Sequence, residues 1–549
     1  MRWFIRSRYP WAFAAGLVLA AAFPKIGVAG FAWIAPALIL LTAVGKPPGQ
    51  TFRIGYAAGL AHYFASLYWL LRIPVAWAPI LGWVALSAYL ALYPATWAWL
   101  CWRFFPVKLA DGESLKPAHL AERFLSVPWP TRTAWTIGGA MAWVALEMIV
   151  ARFLTGFPWN LLGASQYQLL PLIQVASWTG IYGVSFLVVW SSLSLLCAGM
   201  AVLSKPATKS LYFAEIILPM TAVGLLYAAG YHKMLRPEPK RPQITAALVQ
   251  PSIPQTLIWD PAGDETRFED LIRLSRDALT NKPDILIWPE AAVPRMVRYD
   301  RPTQEAITAL ARENKVWLII GSDDAEPRPH ARNPEDNDYF NASFLVSPDG
   351  ELMARYVKRN LVVFGEYIPL VRWLPFLKYL TPIEGGFTSG VHAVPFALAG
   401  LNINISVLIC FEDVFPQLAR EYVFPDTDFL VNLTNNGWFG ESAAQWQHAA
   451  SAVFRAVENG VPLVRCSNNG LTCWVDECGR IRQEFRTPER GIYGPGFLIT
   501  RIPVLRPGET RPATFYNQHG DWFGWTCVIL TAIRLGASFA QRRSAKLAA

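Results

Sequence analysis

The sequence predicts a polytopic α-helical membrane bundle joined to an extramembrane α/β sandwich domain. Of its 549 residues, 53% are hydrophobic and only 16% charged, well below the charged share of a soluble protein. The apolar residues crowd into 1–235 and return near 521–538, and the segment between them reads as a soluble domain. We therefore expect a membrane domain over 1–235, an extramembrane domain over 236–510, and a C-terminal transmembrane helix with a tail over 511–549.

Candidate membrane spans are apolar stretches close to the length of about 20 residues that crosses a bilayer. They lie at 11–24, 28–45, 54–72, 79–101, 134–152, 181–203, 212–231 and 520–537. The first is short, and Ala20-Ala21-Ala22 is similar to a signal-peptide cleavage site, but further spans follow at once. We therefore expect an uncleaved first helix and about seven spans before the polar segment.

Basic residues concentrate in alternate loops between these spans, which sets the predicted orientation. The Lys and Arg residues in these alternate loops and at the two termini are Arg2, Arg6, Arg8, Lys46, Arg53, Arg103, Lys108, Lys116, Arg123, Arg132, Lys205, Lys209, Arg542, Arg543 and Lys546. This asymmetry predicts that both termini are cytoplasmic. The polar segment 235–519 is then expected on the periplasmic side of a bacterial inner membrane.

The net charge of +9 does not indicate a nucleic-acid-binding protein, because no long Lys/Arg run is present. The seven cysteines include no zinc-like Cys/His cluster, so a metal site is not expected. Cys473 and Cys478 flank a turn-like segment and could form either a disulfide or two ordinary thiols.

Short apolar runs with turns and helical patterns between them predict the α/β domain. The predicted strands are Ile244–Gln250, Asp284–Trp288, Val316–Gly321, Phe344–Val346, Leu352–Val357, Ile403–Ile409 and Phe429–Leu433. Asp264–Leu279 has the apolar spacing of an amphipathic helix. The sequence Ser347-Pro348-Asp349-Gly350 predicts a hairpin turn.

Glu290, Lys358 and Cys410 each follow a predicted apolar strand, and sites in α/β sheets gather at the carboxyl ends of strands. Cys410 could act as a nucleophile, Glu290 as its base and Lys358 as the stabiliser of an oxyanion. The alternatives are a buried core cysteine and a Glu290–Lys358 salt bridge. The three together favour catalysis, because their chemistry is complementary.

Several motifs around these residues resemble one enzyme family. Trp288-Pro289-Glu290, Lys358, Cys410-Phe411-Glu412 and the segment 455–462 are similar to the nitrilase superfamily. Further motifs, taken with the membrane domain, narrow the resemblance to the apolipoprotein N-acyltransferase family. These motifs are Gly156-Phe157-Pro158-Trp159, Pro254-Gln255 through Trp259, and Phe364-Gly365-Glu366-Tyr367-Ile368-Pro369.

The resemblance implies a periplasmic nitrilase-like catalytic domain with an α-β-β-α sandwich. By the family's pattern, Cys410 attacks an acyl ester of a membrane phospholipid, expected to be phosphatidylethanolamine, and forms a thioester. The acyl chain then passes to the N-terminal amine of a diacylglyceryl-modified cysteine in an apolipoprotein. Glu290 is the implied base and Lys358 the implied oxyanion stabiliser. We expect a monomer that requires no cofactor, because the thioester itself stores the acyl group.

Further residues take supporting roles by the same resemblance. Glu366 is a second carboxylate near the site, and Glu412 supports the nucleophile loop. Trp259 and Trp438 lie in segments that the family uses as arms over the acyl chain. Phe411 departs from the tyrosine of many members, so a hydroxyl hydrogen bond is absent there.

Two other functions stay open from the sequence. A membrane-tethered amidase would resolve the same thioester with water. A transporter or binding protein would have an inert outer domain, and its support is limited to Glu147 and His62 within predicted spans. Glu147 is either functional or paired with Arg152, and His62 is expected to be a hydrogen-bonded packing residue.

Overall fold

The computed structural model describes residues 7–107, 117–204, 214–237, 239–258, 260–328, 336–369, 371, 373, 375 and 386–547. The chain divides into two compact units. One takes the chain up to Leu71, then Ile80–Arg236, then everything from His519 onward. The other holds Arg72–Pro79 and Pro237–Gln518. The first unit is helical and the second is an α/β fold, the two classes that the sequence predicts.

The helical unit is built mainly from apolar helices. They are α1 Tyr9–Ala21, α2 Ala35–Ala43, α3 Pro48–Ser66, α4 Ala78–Leu90, α5 Leu92–Arg103, α6 Pro117–Ser126, α7 Trp129–Val150, α8 Ile181–Ser204 and α9 Ala214–Met234, with Trp522–Leu547 at the C-terminal end. Short helices at Leu170–Ile173 and Ala176–Thr179 precede α8.

Four helical stretches in the described part of the chain are long and apolar enough to cross a membrane. They are Ala78–Arg103, Trp129–Val150, Ile181–Val202 and Trp522–Gln541, and Tyr9–Ala21 is apolar but shorter. The span predicted at 28–45 is interrupted, because a 3₁₀ turn at Ala29–Trp33 precedes α2 and Pro36 lies in the first turn of α2. The predicted total of about seven spans before the polar segment stays a prediction.

Buried charges inside the helical unit are paired or hydrogen-bonded. Glu147 accepts hydrogen bonds from the Leu162 N–H at 2.7 Å and the Trp143 indole at 3.0 Å. Arg152 instead forms an ion pair with Asp521. The alternative that Glu147 pairs with Arg152 is therefore wrong, because each has another partner within this unit.

His62, the other polar residue singled out in a predicted span, is buried in α3. Its ring packs 5.6 Å from that of Phe23 and 4.6 Å from that of Tyr63, measured between ring centroids. The prediction of a packing role is confirmed for His62. Its Nδ1 atom has no hydrogen-bond partner among the described residues, so the expected hydrogen bond at that atom is not formed.

The α/β unit contains two six-stranded sheets. The first has the order β12-β1-β2-β3-β4-β5 and the second β11-β10-β9-β8-β7-β6. The strands are β1 Gln243–Gln250, β2 Ile285–Ile287, β3 Trp317–Pro327, β4 Asn337–Val346, β5 Leu352–Val357, β6 Pro395–Leu398, β7 Ile403–Ile409, β8 Phe429–Thr434, β9 Leu463–Ser467, β10 Cys473–Val475, β11 Ile481–Glu484 and β12 Gly496–Pro503.

The longer helices of this unit are α10 Asp264–Leu279, α11 Arg301–Asn314 and α12 Ala444–Asn459, with shorter ones at Gln255–Ile258, Pro416–Arg420 and Phe515–His519. Apolar residues of α10 and α11, such as Leu271 and Ile307, share one buried cluster with Leu318 of β3 and Phe344 of β4. The two sheets meet at their other faces, where the Cys466 thiol lies 3.3 Å from carbonyls of β1 and β2.

Strand boundaries differ most from the predicted ones in β3 and β4. β3 runs to Pro327 and β4 begins at Asn337, although the apolar runs cover only Val316–Gly321 and Phe344–Val346. The antiparallel ladder continues through polar residues, some of which have charged partners outside the apolar runs, since Asp324 pairs with Arg298 and Asp338 with Arg328. Cys473 and Cys478 are not joined by a disulfide in the structure, so the alternative of two ordinary thiols is the one observed.

Candidate active site

Cys410 lies directly after β7, where the chain turns into the 3₁₀ segment Cys410–Val414. Its φ angle is +53°, in the left-handed region that non-glycine residues rarely adopt. The Cys410 carbonyl oxygen accepts hydrogen bonds from Asn432 Nδ2 at 2.9 Å and His448 Nε2 at 3.2 Å. These bonds hold the strained turn and keep the thiol half-buried at the end of its strand.

Glu290 follows β2 in the other sheet and is only 7% exposed. One of its carboxylate oxygens accepts hydrogen bonds from Asn341 Nδ2 at 2.8 Å and Lys358 Nζ at 3.2 Å. The other accepts the backbone N–H of Asn435 at 2.9 Å. Asn435 directly follows β8, so this bond joins the ends of strands from both sheets.

Lys358 follows β5 and is buried, with its ammonium between two carboxylates. The Nζ atom lies 3.2 Å from Glu290 Oε1 and 2.8 Å from Glu366 Oε1. Glu366 is fixed in turn by the backbone N–H of Val362, which donates to Oε2 at 2.8 Å. The structure therefore brings Glu290, Lys358 and Glu366 into one hydrogen-bonded cluster.

The charges of this cluster determine the protonation states of Lys358 and Cys410. Burial opposes a charged lysine, but the negative charges of Glu290 and Glu366 raise the pKa of Lys358 well above its usual value. Burial, followed by the charge of Glu290, raises the pKa of the Cys410 thiol to about 12, although Lys358 acts in the opposite direction. At neutral pH the lysine is a cation and the resting thiol is protonated.

Glu412 is fully buried two residues beyond Cys410 and fixes the surrounding backbone. Its carboxylate accepts the backbone N–H groups of Ile409 at 2.7 Å, Arg359 at 2.7 Å and Asn360 at 3.1 Å. It also accepts the hydroxyl of Tyr356 at 2.8 Å. Because these donors lie beside Cys410 and Lys358, Glu412 holds the backbone at both positions.

The remaining predicted site residues have different placements. Phe411 is half-buried, and its ring packs edge-on to that of Phe415 with the centroids 4.9 Å apart. Trp438 lies in the 3₁₀ turn Asn436–Phe439 and is also half-buried. Trp259 lies outside the described residues. In the described part of the chain, no group of three His, Cys, Asp or Glu side chains is placed to hold a metal ion.

Asn341 is a site residue that the sequence reasoning missed. Its side-chain nitrogen donates to both Glu290 and Glu366, at 2.8 and 2.9 Å, and therefore orients the two carboxylates around Lys358. The signal available was a polar residue within reach of the predicted strand Phe344–Val346. It was missed because that strand was confined to its apolar run.

The sequence reasoning also missed a buried group of Asp413, His448 and Arg465, which contacts the Cys410 carbonyl through His448. Asp413 accepts a hydrogen bond from His448 Nε2 at 2.6 Å and forms a buried ion pair with Arg465. Desolvation lowers the pKa of His448, which supports a neutral ring that holds the Cys410 carbonyl. The sequence offered a weaker signal here, since His448 and Arg465 lie far from Cys410 along the chain.

The chain is similar to known protein families along most of its length. The Carbon-nitrogen hydrolase family matches residues 245–493, and the family described as Apolipoprotein N-acyltransferase N-terminal domain matches residues 15–194. An apolipoprotein N-acyltransferase of Geobacter metallireducens is 37% identical, over 98% of this chain and 96% of that protein. An apolipoprotein N-acyltransferase of Vibrio cholerae is 29% identical, over 88% of this chain and 90% of that protein. A Nesterenkonia amidase of the nitrilase superfamily is 17% identical, with a TM-score of 0.36, over 51% of this chain and 95% of that one. This chain belongs to the apolipoprotein N-acyltransferase family.

Proposed function

We propose that this chain transfers a fatty acyl group from a membrane phospholipid, through a thioester on Cys410, to the N-terminal amine of a diacylglyceryl-modified apolipoprotein. The observation that carries the proposal is the buried Lys358 ammonium between Glu290 and Glu366, acting electrostatically on the Cys410 thiol. A buried cation and a carboxylate beside a thiol supply the two groups that acyl transfer needs, an oxyanion stabiliser and a base.

The first half-reaction forms the thioester. Glu290 takes the proton from Cys410 as the sulfur attacks the carbonyl carbon of the acyl ester. The Lys358 ammonium stabilises the negative charge that develops on the carbonyl oxygen. The ester C–O bond then breaks, and Glu290 returns its proton to the departing oxygen of the lysophospholipid.

The second half-reaction releases the product. The acceptor's α-amine attacks the thioester carbon, and Glu290 takes a proton from the amine. Lys358 again stabilises the oxyanion, the C–S bond breaks, and Glu290 passes its proton to the departing sulfur, which restores the Cys410 thiol. An oxyanion donor of this kind contributes on the order of 10²–10³ in rate, and a general base about 10²–10⁴.

Supporting roles follow from the contacts of each residue. Glu366 balances the charge of Lys358, and Glu412 fixes the backbone at Cys410 and Lys358. Phe411 packs beside the nucleophile. We assign Trp438 and Trp259 to binding of the acyl chain by their resemblance to the family's arms. Phosphatidylethanolamine is the proposed donor, and the enzyme is proposed to act as a monomer.

The proposed location is the bacterial inner membrane, with several spans and a periplasmic catalytic domain over 236–510. The distribution of Lys and Arg between alternate loops supports this orientation. Reporters fused at residue 118 and at the C-terminus are expected to be active in the cytoplasm. A reporter inserted within 300–335 is expected to be active in the periplasm, and a cytoplasmic signal there would contradict the orientation.

The decisive test is mass spectrometry of the purified protein after incubation with phosphatidylethanolamine and no acceptor. An acyl adduct sensitive to hydroxylamine is expected on the peptide that contains Cys410. Cys410→Ala should abolish the adduct and the transfer while the protein stays folded. Cys478→Ala is the matched control, because Cys478 is also half-buried and is not part of a disulfide.

The same assay separates acyl transfer from hydrolysis. Addition of a diacylglyceryl-modified peptide should discharge the thioester and yield the N-acylated peptide. Release of free fatty acid as the main product would favour the amidase alternative instead.

A further inference from the structure

A third carboxylate, Asp323, lies beside the active-site cluster and has no role in the reaction described above. Asp323 is on β3, directly opposite Asn341 of β4 in the antiparallel ladder. Residues opposite each other in such a ladder have their side chains on the same face, with Cβ atoms about 4.5–5.5 Å apart. Asp323 is therefore the ladder neighbour of the residue that orients Glu290 and Glu366.

Strand alternation places Asp323 on the face of the sheet that carries the site. Gly321 is two residues earlier on that face, and a Cβ there would lie 2.8 Å from the Cα of Glu290. Asp324 takes the opposite face, where Arg298 binds it at 2.7 and 2.8 Å. The two adjacent aspartates thus have different environments, and only Asp324 has guanidinium partners in the described structure.

Asn341 provides the observation that points to a proton on Asp323. Both carboxylates held by Asn341 accept from its Nδ2 atom, so its Oδ1 atom is left to accept a hydrogen bond. That Oδ1 atom is buried and has no partner among the described residues. A buried acceptor without a donor costs about 1–3 kcal/mol. A protonated Asp323 would supply the donor, whereas an ionised Asp323 would place another acceptor there.

The surrounding charges favour the protonated form. Among the described residues, the charged groups with the largest effect on Asp323 are the carboxylates Glu290, Glu366 and Asp324 and the ammonium of Lys358. Burial is the largest cause, followed by Glu290 and Glu366, and together they raise the pKa of Asp323 to about 7. The carboxyl group therefore keeps its proton below that pH and loses it above.

We propose that Asp323 is a positioning residue, which donates its carboxyl proton to Asn341 Oδ1 and thereby holds the Asn341 amide against Glu290 and Glu366. This inference rests on the proposed function, because its consequence is the rate of thioester formation at Cys410. Loss of the proton adds a negative charge beside Lys358 and frees the Asn341 side chain to rotate. Acylation should then slow as the pH rises through about 7.

The test is the pH profile of Cys410 acylation by phosphatidylethanolamine in detergent micelles, without an acceptor amine. The wild-type rate should fall as the pH rises through about 7 and then level off at a lower rate, that of the enzyme with ionised Asp323. The side chain of Asp323→Asn is neutral at every pH and keeps an N–H donor. The acylation rate of this variant should therefore stay as high above pH 7 as it is below pH 7. Asp323→Leu has neither donor nor charge and should be slow and without the alkaline decline.

Asp338→Asn is the matched control. Asp338 lies on β4 three residues before Asn341, so its side chain is on the opposite face of the sheet, where it pairs with Arg328. It should keep the wild-type profile. An alkaline decline that persists in Asp323→Asn, or wild-type rates in Asp323→Leu, would overturn the role of Asp323. A wild-type enzyme that forms no thioester at any pH would instead contradict the proposed function itself.

Discussion

The backbone N–H of Lys358 donates to the backbone carbonyl of Asn341 at 2.9 Å, while the Asn341 side chain donates to both carboxylates that flank the Lys358 ammonium. Asn341 thus positions the cation through its main chain and the two anions through its side chain. The β4–β5 ladder continues directly into this contact, with Ala342 opposite Val357. The β4–β5 ladder consequently helps to fix the geometry of the charged cluster.

Glu290 and Glu366 both contact Lys358, yet only Glu290 is proposed to move protons. Glu290→Gln is expected to reduce thioester formation about 10²–10⁴-fold, because the base is lost. Glu366→Gln retains the base and keeps an oxygen that can accept from Lys358, so it should reduce acylation less. Single-turnover acylation of Cys410, measured without acceptor, compares the two variants directly. Equal thioester formation in Glu290→Gln and wild type would identify another group as the base, with Glu366 the next candidate.

Glu412 is expected to stabilise the turn that carries the nucleophile. Glu412→Gln replaces one acceptor oxygen by an amide group, so a buried N–H donor loses its partner at a cost of about 1–3 kcal/mol. We expect a lower midpoint of thermal unfolding in detergent and slower acylation of Cys410.

Tyr356→Phe is the milder comparison for Glu412. It removes one hydroxyl donor and leaves the three backbone N–H groups on the carboxylate. Unfolding midpoints that follow the order wild type, Tyr356→Phe and Glu412→Gln, from high to low, are expected. A Glu412→Gln protein as stable as wild type would show that the carboxylate does not support the turn.

Apolar patterns in the sequence predict the bounds of buried elements, but they do not predict strand segments that are held by polar contacts. Ile403–Ile409 and Asp264–Leu279 have the bounds that their apolar residues predict, because the strand is buried on both faces and the helix buries one apolar face. The polar ends of β3 and β4 have no such spacing. Their pairing depends on ladder register and on the charged cluster, which involves residues distant in the chain.

The positions of the three candidate catalytic residues at strand ends were predictable for a related reason. Glu290, Lys358 and Cys410 follow apolar strands, so the sequence indicates that they reach the same region. Asn341 and Asp323 lie within strands, where a polar residue carries no comparable signal. Their roles depend on the face of the sheet and on the partner strand, and neither was available before the register was known.

In the absence of substrate, the reactivity of the Cys410 thiol toward alkylation is expected to depend strongly on pH. Its pKa of about 12 is raised by burial first and by Glu290 second, so the thiol is protonated at neutral pH. The thiolate fraction, and with it alkylation by iodoacetamide, should increase about tenfold per pH unit between pH 7 and 10. Mass spectrometry of the peptide that contains Cys410 measures this rate separately from the other cysteines.

Glu290→Gln should change alkylation and acyl transfer in opposite directions. Removal of the nearby negative charge lowers the pKa of Cys410 and leaves Lys358 freer to stabilise the thiolate, so alkylation at pH 8 should become faster. Acylation by phospholipid should become slower, because no base remains to return the proton to the departing oxygen. Asp338→Asn should leave both rates unchanged. If Glu290→Gln slowed both reactions together, the role of Glu290 would be structural, since loss of the site's geometry alone affects alkylation and acylation in the same direction.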